Sequence, residues 1–399
     1  MPNTDTKATL DALIAKSATI ESKPIFFDLN KPEDATRLDA LMASGAVAHV
    51  VDDYEEEQLE LFGVKNPTLV YTPTYKATFK EFFDKLTAST GGLHKHGLWV
   101  YFPWLSLLSH ILPEEDFQLV RTARNKNLIN ASEQDKFYNA TVGIAGLSVG
   151  SSVAFALVLQ GGAKHVKLAD MDRLALSNTN RVLSGVHNLG VLKVEMAART
   201  IYTMNPYATV ELYPQGLTPE SIPSFFDGLD IVIDELDNLA VKYLIREQAK
   251  AHKIAVVMAA DNGDNAVVDI ERYDVTPDMP YFHGRMGEVN YDMLSSLDKF
   301  GIGKMITRHV GAENVTVRMQ ESLVEMGKTI VSWPQLGGAA LVNGAAVAYC
   351  VRKILNGQEL EPNRTLINLD SMLTPSYNTP QEQQKRVEIA ERFKKGFGL

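Results

Sequence analysis

Residues 138–172 read YNATVGIAGLSVGSSVAFALVLQGGAKHVKLADMD, and three patterns succeed one another within them. YNATVGIAG is a short β-branched run that ends in glycine. SSVAFALVLQGGAKH has the pattern of a helix closed by Gly161 and Gly162, and HVKLADMD is a second strand ending in two aspartates. A strand, a tight turn, a helix and a strand within about 30 residues form the first half of a nucleotide-binding parallel sheet.

The alternation continues downstream. VLKVEMAARTIYTMN leads to TVELYP, TPESIPSFFDG to LDIVIDELD, and LAVKYLIREQAKAHK to IAVVMAAD, each a helix pattern followed by a strand pattern. The expected fold class is therefore α/β, a doubly wound, mostly parallel sheet with helices on both faces, whose ligands bind beyond the carboxyl ends of the strands. Upstream lies a smaller α+β segment, with strands expected near 24–27 and 46–51 and helices near 34–44 and 75–86. GGLHKHGLWVYFPWL is read as an aromatic-rich loop, its Trp99, Tyr101, Phe102 and Trp104 packing at a domain junction. The expected organisation is an N-terminal α+β domain over 1–115, the sheet domain over 116–370, and an amphipathic helical tail over 371–399.

A chain of 399 residues, 45% apolar and 22% charged, can bury a full core and has ordinary globular composition, which excludes disordered, collagen-like and coiled-coil classes. Its one cysteine, Cys350, excludes an internal disulfide framework and any multi-cysteine zinc site. The net charge of −10 offers no global basic field, so neither nucleic acid nor a membrane surface is an expected partner. MPNTDTKATLDALIAKS carries acids at Asp5 and Asp11 and no apolar core of secretory type; the cytoplasm is the expected location. The uncharged stretches 141–163 and 332–351 are broken by small and polar residues and read as strand–turn–helix and loop–helix pieces of the core, while 98–112 is too short to span a bilayer. His94 and His96 lack a third metal ligand and read as loop residues.

The chemistry-bearing residues fall at expected strand ends. In the first turn only Gly146 matches the dinucleotide pattern G-x-G-x-x-G; Ser148 and Ser151 stand at its other glycine positions, small enough to let backbone N–H groups approach a phosphate. Asp170 and Asp172 lie about 20 residues on, where an acidic residue bonds ribose hydroxyls. Asn178, Arg181 and Lys193 follow. Two cations and an amide beside a phosphate-binding turn suit a triphosphate better than a nicotinamide dinucleotide. The next strand ends in Asp234-Glu235-Leu236-Asp237-Asn238, which offers a carboxylate to Mg²⁺. Asp261, His283 and Arg285 are read as loop residues placed to approach the substrate side.

Taken in order, GLSVGS, LADMDRLALSNTNR, GVLK and DELDN resemble the signature of the ThiF/MoeB/ubiquitin-activating superfamily of adenylyltransferases, across about residues 121–274. The resemblance implies a site that binds ATP with Mg²⁺ and transfers AMP to a carboxylate borne by a protein, peptide or small molecule. It implies that Asp170 binds the ribose with Asp172 nearby. Gly146, Ser148, Gly150 and Ser151 form the nucleotide turn, and Asn178, Arg181 and Lys193 contact the phosphates. Asp237 holds the magnesium, with Asn238 beside it in the nucleotide loop. Arg124, in RTARNKN, matches an arginine that reaches the triphosphate of the neighbouring subunit in a homodimer.

The chain also departs from the family. Its paired CxxC zinc motifs are missing, and no cysteine lies in the crossover region where ubiquitin-type activators form a thioester. Cys350 sits in the small-residue pattern GGAALVNGAAVAYCVRKIL and is expected to be buried and inert. The implied acyl adenylate then passes directly to an external nucleophile. Two other readings stay open on sequence alone: a nucleotide-binding scaffold without catalysis, and an NAD-dependent oxidoreductase on the same sheet.

Overall fold

The computed structural model describes residues 4–399 apart from 18, 90 and 362. The chain divides into two compact units: Met1–Gln134 with Ala198–Ala208, and Asp135–Ala197 with Thr209–Leu399.

The first unit holds a four-stranded sheet of β1 (Ile25–Phe27), β2 (His49–Asp52), β3 (Leu98–Phe102) and β4 (Leu107–Ile111), in the order β1-β3-β4-β2. The expected helices form as Pro32–Ala43 and Tyr75–Ser89. Helix Tyr54–Lys65 was not foreseen. Nor was β3, one of the sheet's two interior strands, which occupies the stretch read as a loop. Its residues LWVYF are strand formers, and it was the glycines and proline around them that suggested a loop. The aromatic side chains of this stretch pack inside the unit: Tyr101 and Phe102 are buried, and Trp99 stacks on His110 at 4.4 Å. His110, pressed on its other face by Tyr54 at 4.0 Å, is a core residue whose Nδ1 lies 2.9 Å from Asp52.

The second unit is built on β5 (Thr141–Ala145), β6 (His165–Ala169), β7 (Thr209–Tyr213), β8 (Ile231–Asp234), β9 (Ala255–Asn262), β10 (Asn265–Arg272) and β11 (Arg364–Ile367). Their order is β11-β10-β9-β8-β5-β6-β7. The five strands from β7 to β9 are parallel. From β5 the chain proceeds outward through β6 and β7, then returns to add β8 and β9 on the opposite side, so the order reverses between β5 and β8. That reversal opens a crevice at the strands' carboxyl ends. The α/β class and mostly parallel sheet are as the sequence implied. The antiparallel strands β10 and β11 were not foreseen.

Helix Gly337–Leu355 is long and apolar enough to cross a membrane by length and composition, and half of it is buried within this fold. It packs on helix Gly150–Leu159 through Gly344, where an added Cβ would stand 2.6 Å from the Ser152 carbonyl oxygen. Cys350 on this helix is buried, and burial pushes its thiol up to about 11, the opposite of an activated nucleophile. The amphipathic tail forms helix Pro380–Phe397, whose Phe393 and Phe397 pack with Val267, Val310 and Met319 in one core cluster.

The approach at Gly344 leaves no room for a methyl group. Gly344→Ala is expected to cost about 1–3 kcal/mol by forcing the two helices apart, read as a lowered Tm in thermal unfolding; an unchanged Tm would show that the helix pair is not packed this closely.

Candidate nucleotide site at the sheet's switch point

The crevice is framed by the turn after β5 and the loop after β8. Gly146 leaves β5 with a φ of 85°, a backbone conformation natural to glycine. A Cβ there would also lie 2.4 Å from the Glu235 carbonyl oxygen, so the two loops meet only across a residue without a side chain. The next residue is tied to the neighbouring strand: Leu147 N–H donates to Asp170 Oδ2 at 2.7 Å, and Asp172 N–H donates to Oδ1 of the same carboxylate at 2.8 Å. Asp170 therefore fixes both the turn and the start of its own loop. Burial raises its pKa against the opposing pull of Lys193.

Beyond Leu147 the chain turns into helix Gly150–Leu159. The backbone N–H groups of Ser148, Val149, Gly150 and Ser151 have no protein acceptor among the described residues. Ser151 donates its hydroxyl to the Ser148 carbonyl at 2.8 Å. Four unsatisfied donors at the start of a helix create positive potential for an anion.

Arg181 and Lys193 both reach this edge, but in different electrostatic states. Arg181 Nε donates to Ser148 Oγ at 3.0 Å, and Nη1 donates to the Ser177 carbonyl and to Asn180 Oδ1 at 3.1 and 2.9 Å. Every one of those acceptors is neutral, and no carboxylate forms an ion pair with Arg181 among the described residues. Lys193, by contrast, is nearly buried at the start of helix Lys193–Met204, with Nζ 2.8 Å from Asp172 and 3.8 Å from Asp170. Asn178 shapes the loop between them: Ala175 N–H donates to its side-chain oxygen at 3.0 Å, and Arg181 N–H donates to its carbonyl.

The three acids after β8 are separated by their surroundings. Asp234 is fully buried and paired with Lys242 at 3.1 Å and with Arg246, which hold its carboxyl below the usual range. Arg246 Nε continues to Glu271 at 2.8 Å. Glu235 accepts from Ala259 N–H at 2.9 Å, and burial pushes its carboxyl well above the ordinary carboxylate pKa. Only Asp237 of the three is exposed. Asn238 caps helix Leu239–His252, its side-chain oxygen accepting from Ala240 and Val241 N–H. The buried pairing was not foreseen, although Lys242 and Arg246, four residues apart, share a helix face that meets the strand end.

Of the three residues expected in substrate loops, one lies in a strand and two pair with a buried carboxylate. Asp261 belongs to β9, where it accepts from Asn343 at 2.6 Å and Gln335 at 3.2 Å. His283 and Arg285 each approach Asp269 of β10 within 2.9 Å. Arg124 sits in the turn Ala123–Asn125 of the first unit. His96 Nε2 lies 3.1 Å from the Leu86 carbonyl, and His94 is exposed.

Burial raises the Asp261 carboxyl to about 6, opposed by its two amide donors and by the charge of Arg181. The folded chain thus binds this proton more tightly than the unfolded one, a stability contribution complete below about pH 4 and lost as pH rises through about 6. Carbon-detected NMR should place the Asp261 inflection near 6. Asn343→Ala should move it further up by removing a bond that favours the charged form; an inflection near 4 in both would contradict this environment.

The amino-acid sequence matches the ThiF family over residues 122–388. It is 39% identical over 275 residues to an uncharacterized protein, MT1398, of Mycobacterium tuberculosis, covering 69% of this chain and 38% of that one. It is 33% identical over 124 residues to the tRNA threonylcarbamoyladenosine dehydratase of Haemophilus influenzae, covering 31% of this chain and 46% of that enzyme. To the sulfur carrier protein adenylyltransferase of Thermus thermophilus it is 27% identical over 155 residues, covering 39% and 55%. The chain spans less than two thirds of each of these relatives. Among solved structures, E. coli MccB with ATP aligns at a TM-score of 0.45 and 17% identity, over 64% of this chain and 76% of MccB. The match to the family profile covers well over half of the sequence, and the chain belongs to the ThiF family.

Proposed function

We propose that the chain is an adenylyltransferase that uses ATP and Mg²⁺ to transfer AMP to a carboxylate of a protein, a peptide or a small molecule. The observation that carries this reading is Arg181, a guanidinium that forms no ion pair among the described residues, bonded to the turn whose four N–H groups have no acceptor among them. That donor set fits a polyphosphate: fixed amides for the bridging and terminal oxygens, a planar cation for their charge, and one exposed carboxylate, Asp237, suited to a magnesium that also takes phosphate oxygens. The relatives lend support, since a sulfur carrier protein adenylyltransferase is among them.

A carboxylate approaching a phosphate is anion meeting anion, so the residues must first neutralise charge and then align the reactants. Magnesium, when bound, withdraws charge from the phosphate oxygens. Arg181 and the turn amides hold the same oxygens without needing to reorganise. Asp170, almost buried and committed to two backbone N–H groups, keeps the turn in place and has lone pairs left for a ribose hydroxyl. Lys193 is shared between two aspartates, and its role is to set their positions as well as to offer charge. No protein nucleophile takes part. Arg124 is proposed to complete the phosphate site from the neighbouring copy of a homodimer.

The test is carboxylate-dependent exchange of labelled pyrophosphate into ATP, run with a panel of peptide C-termini and small acids. Magnesium-dependent exchange is expected with at least one member. Arg181→Ala and Asp237→Ala should each lower it about 10²–10³-fold, the cost of losing one preorganised charge contact. Mixing Arg124→Ala with Asp237→Ala protein should restore part of the rate. Exchange that survives Arg181→Ala would overturn the role given to that residue, and ATP binding without exchange on any carboxylate would overturn the reading in favour of a scaffold.

A further inference from the structure

The second unit contains another charged cavity, of about 470 Å³, which shares no residue with the crevice; its lining includes Arg285, Arg308, His309 and Arg364. Two of these arginines are held by Asp269 of β10, an almost fully buried carboxylate outside the lining. Arg285 Nη1 stands 2.9 Å from Asp269 Oδ2 and Arg364 Nη2 stands 2.5 Å from the same oxygen. One carboxylate thus serves two guanidiniums. A third, Arg308, lies exposed in the last turn of helix Lys299–Val310, with no hydrogen bond or ion pair among the described residues. The one acid in the lining, Glu313, is approached by Lys394 at 3.6 Å. The lining therefore carries an uncompensated positive charge.

Two buried side chains also keep donor capacity in reserve. Arg364 is 9% exposed and its Nε has no partner; His309 is 5% exposed and its Nδ1 has none. Burial lowers the His309 pKa to about 3, so the imidazole is neutral at physiological pH. The volume is that of a site for a small molecule. The three guanidiniums come from three separate elements, the turn before Met286, the end of helix Lys299–Val310, and β11. Such a set matches a tetrahedral anion with several oxygens better than a single planar carboxylate, which one bidentate arginine already satisfies.

We propose that this cavity binds the phosphate group of a small phosphorylated ligand, as a second anion site independent of the nucleotide crevice. The probe is inorganic phosphate, titrated calorimetrically at constant ionic strength into full-length protein carrying Arg181→Ala, which weakens phosphate binding in the crevice. Saturable binding is expected in that background, and adding Arg308→Glu should weaken it at least tenfold. The Arg308 side chain is exposed and forms no hydrogen bond or ion pair among the described residues, so the fold should survive; Arg308→Gln, with a smaller expected loss, serves if the charge reversal does not fold. Lys85→Ala is the surface control and should leave the affinity unchanged. The proposal is overturned if phosphate does not saturate, if neither Arg308 variant changes its affinity, or if acetate binds as tightly as phosphate.

Discussion

The close contact between Gly146 and the Glu235 carbonyl governs the whole site. Two strands that are neighbours in the sheet but distant in sequence end in loops that must pass within backbone distance, and only a residue without a side chain and with positive φ permits it. Once the loops are that close, the Asp170 carboxylate can hold the turn through Leu147 N–H and its own loop through Asp172 N–H. Arg181 then closes the arrangement from the far side through Ser148 Oγ. Positioning is done by backbone and short polar contacts, which leaves the charges available for a ligand.

Beneath this surface the same sheet edge carries a very different electrostatic arrangement. Asp234, Lys242, Arg246 and Glu271 are buried and mutually paired, with Tyr273 hydroxyl donating to Glu271 at 2.7 Å. Buried pairs of this kind contribute little net stability, but removal of one partner strands a charge and costs about 3–5 kcal/mol. Their effect here is to spend Asp234 inside the fold, so that Asp237 is the acid of its loop that meets solvent. Lys193 shows the same division of labour on the β6 side. Its charge is already shared by Asp170 and Asp172, whereas Arg181 forms no ion pair among the described residues.

Much of this was legible in the sequence because alternation of strand and helix patterns is a local property, and the motifs sit at fixed offsets from strand ends. The parallel strands, the turn at Gly146, and the meeting of Asp170, Asp172, Arg181 and Lys193 all follow from residues close in sequence to a recognisable strand. What escaped was set by distant partners. β3 was hidden by its flanking glycines and proline. β11 pairs antiparallel with β10 across a separation of about a hundred residues, which no local pattern encodes, whereas β10 follows β9 through the two-residue turn Gly263-Asp264, a local hairpin that the reading passed over. Asp261 was read as a loop residue, yet its carboxyl is fixed by Asn343, far along the chain. His283 and Arg285 looked like substrate contacts until Asp269 supplied their counter-charge.

The central claim is that the crevice between β5 and β8 recognises three linked phosphates. Calorimetric titration of the full chain with a non-hydrolysable ATP analogue and Mg²⁺, set beside the same titration with NAD, tests it most directly. The account predicts one triphosphate site per chain that is lost in Arg181→Ala, and no heat from NAD. Binding of NAD without the triphosphate, or triphosphate binding indifferent to Arg181, would contradict it.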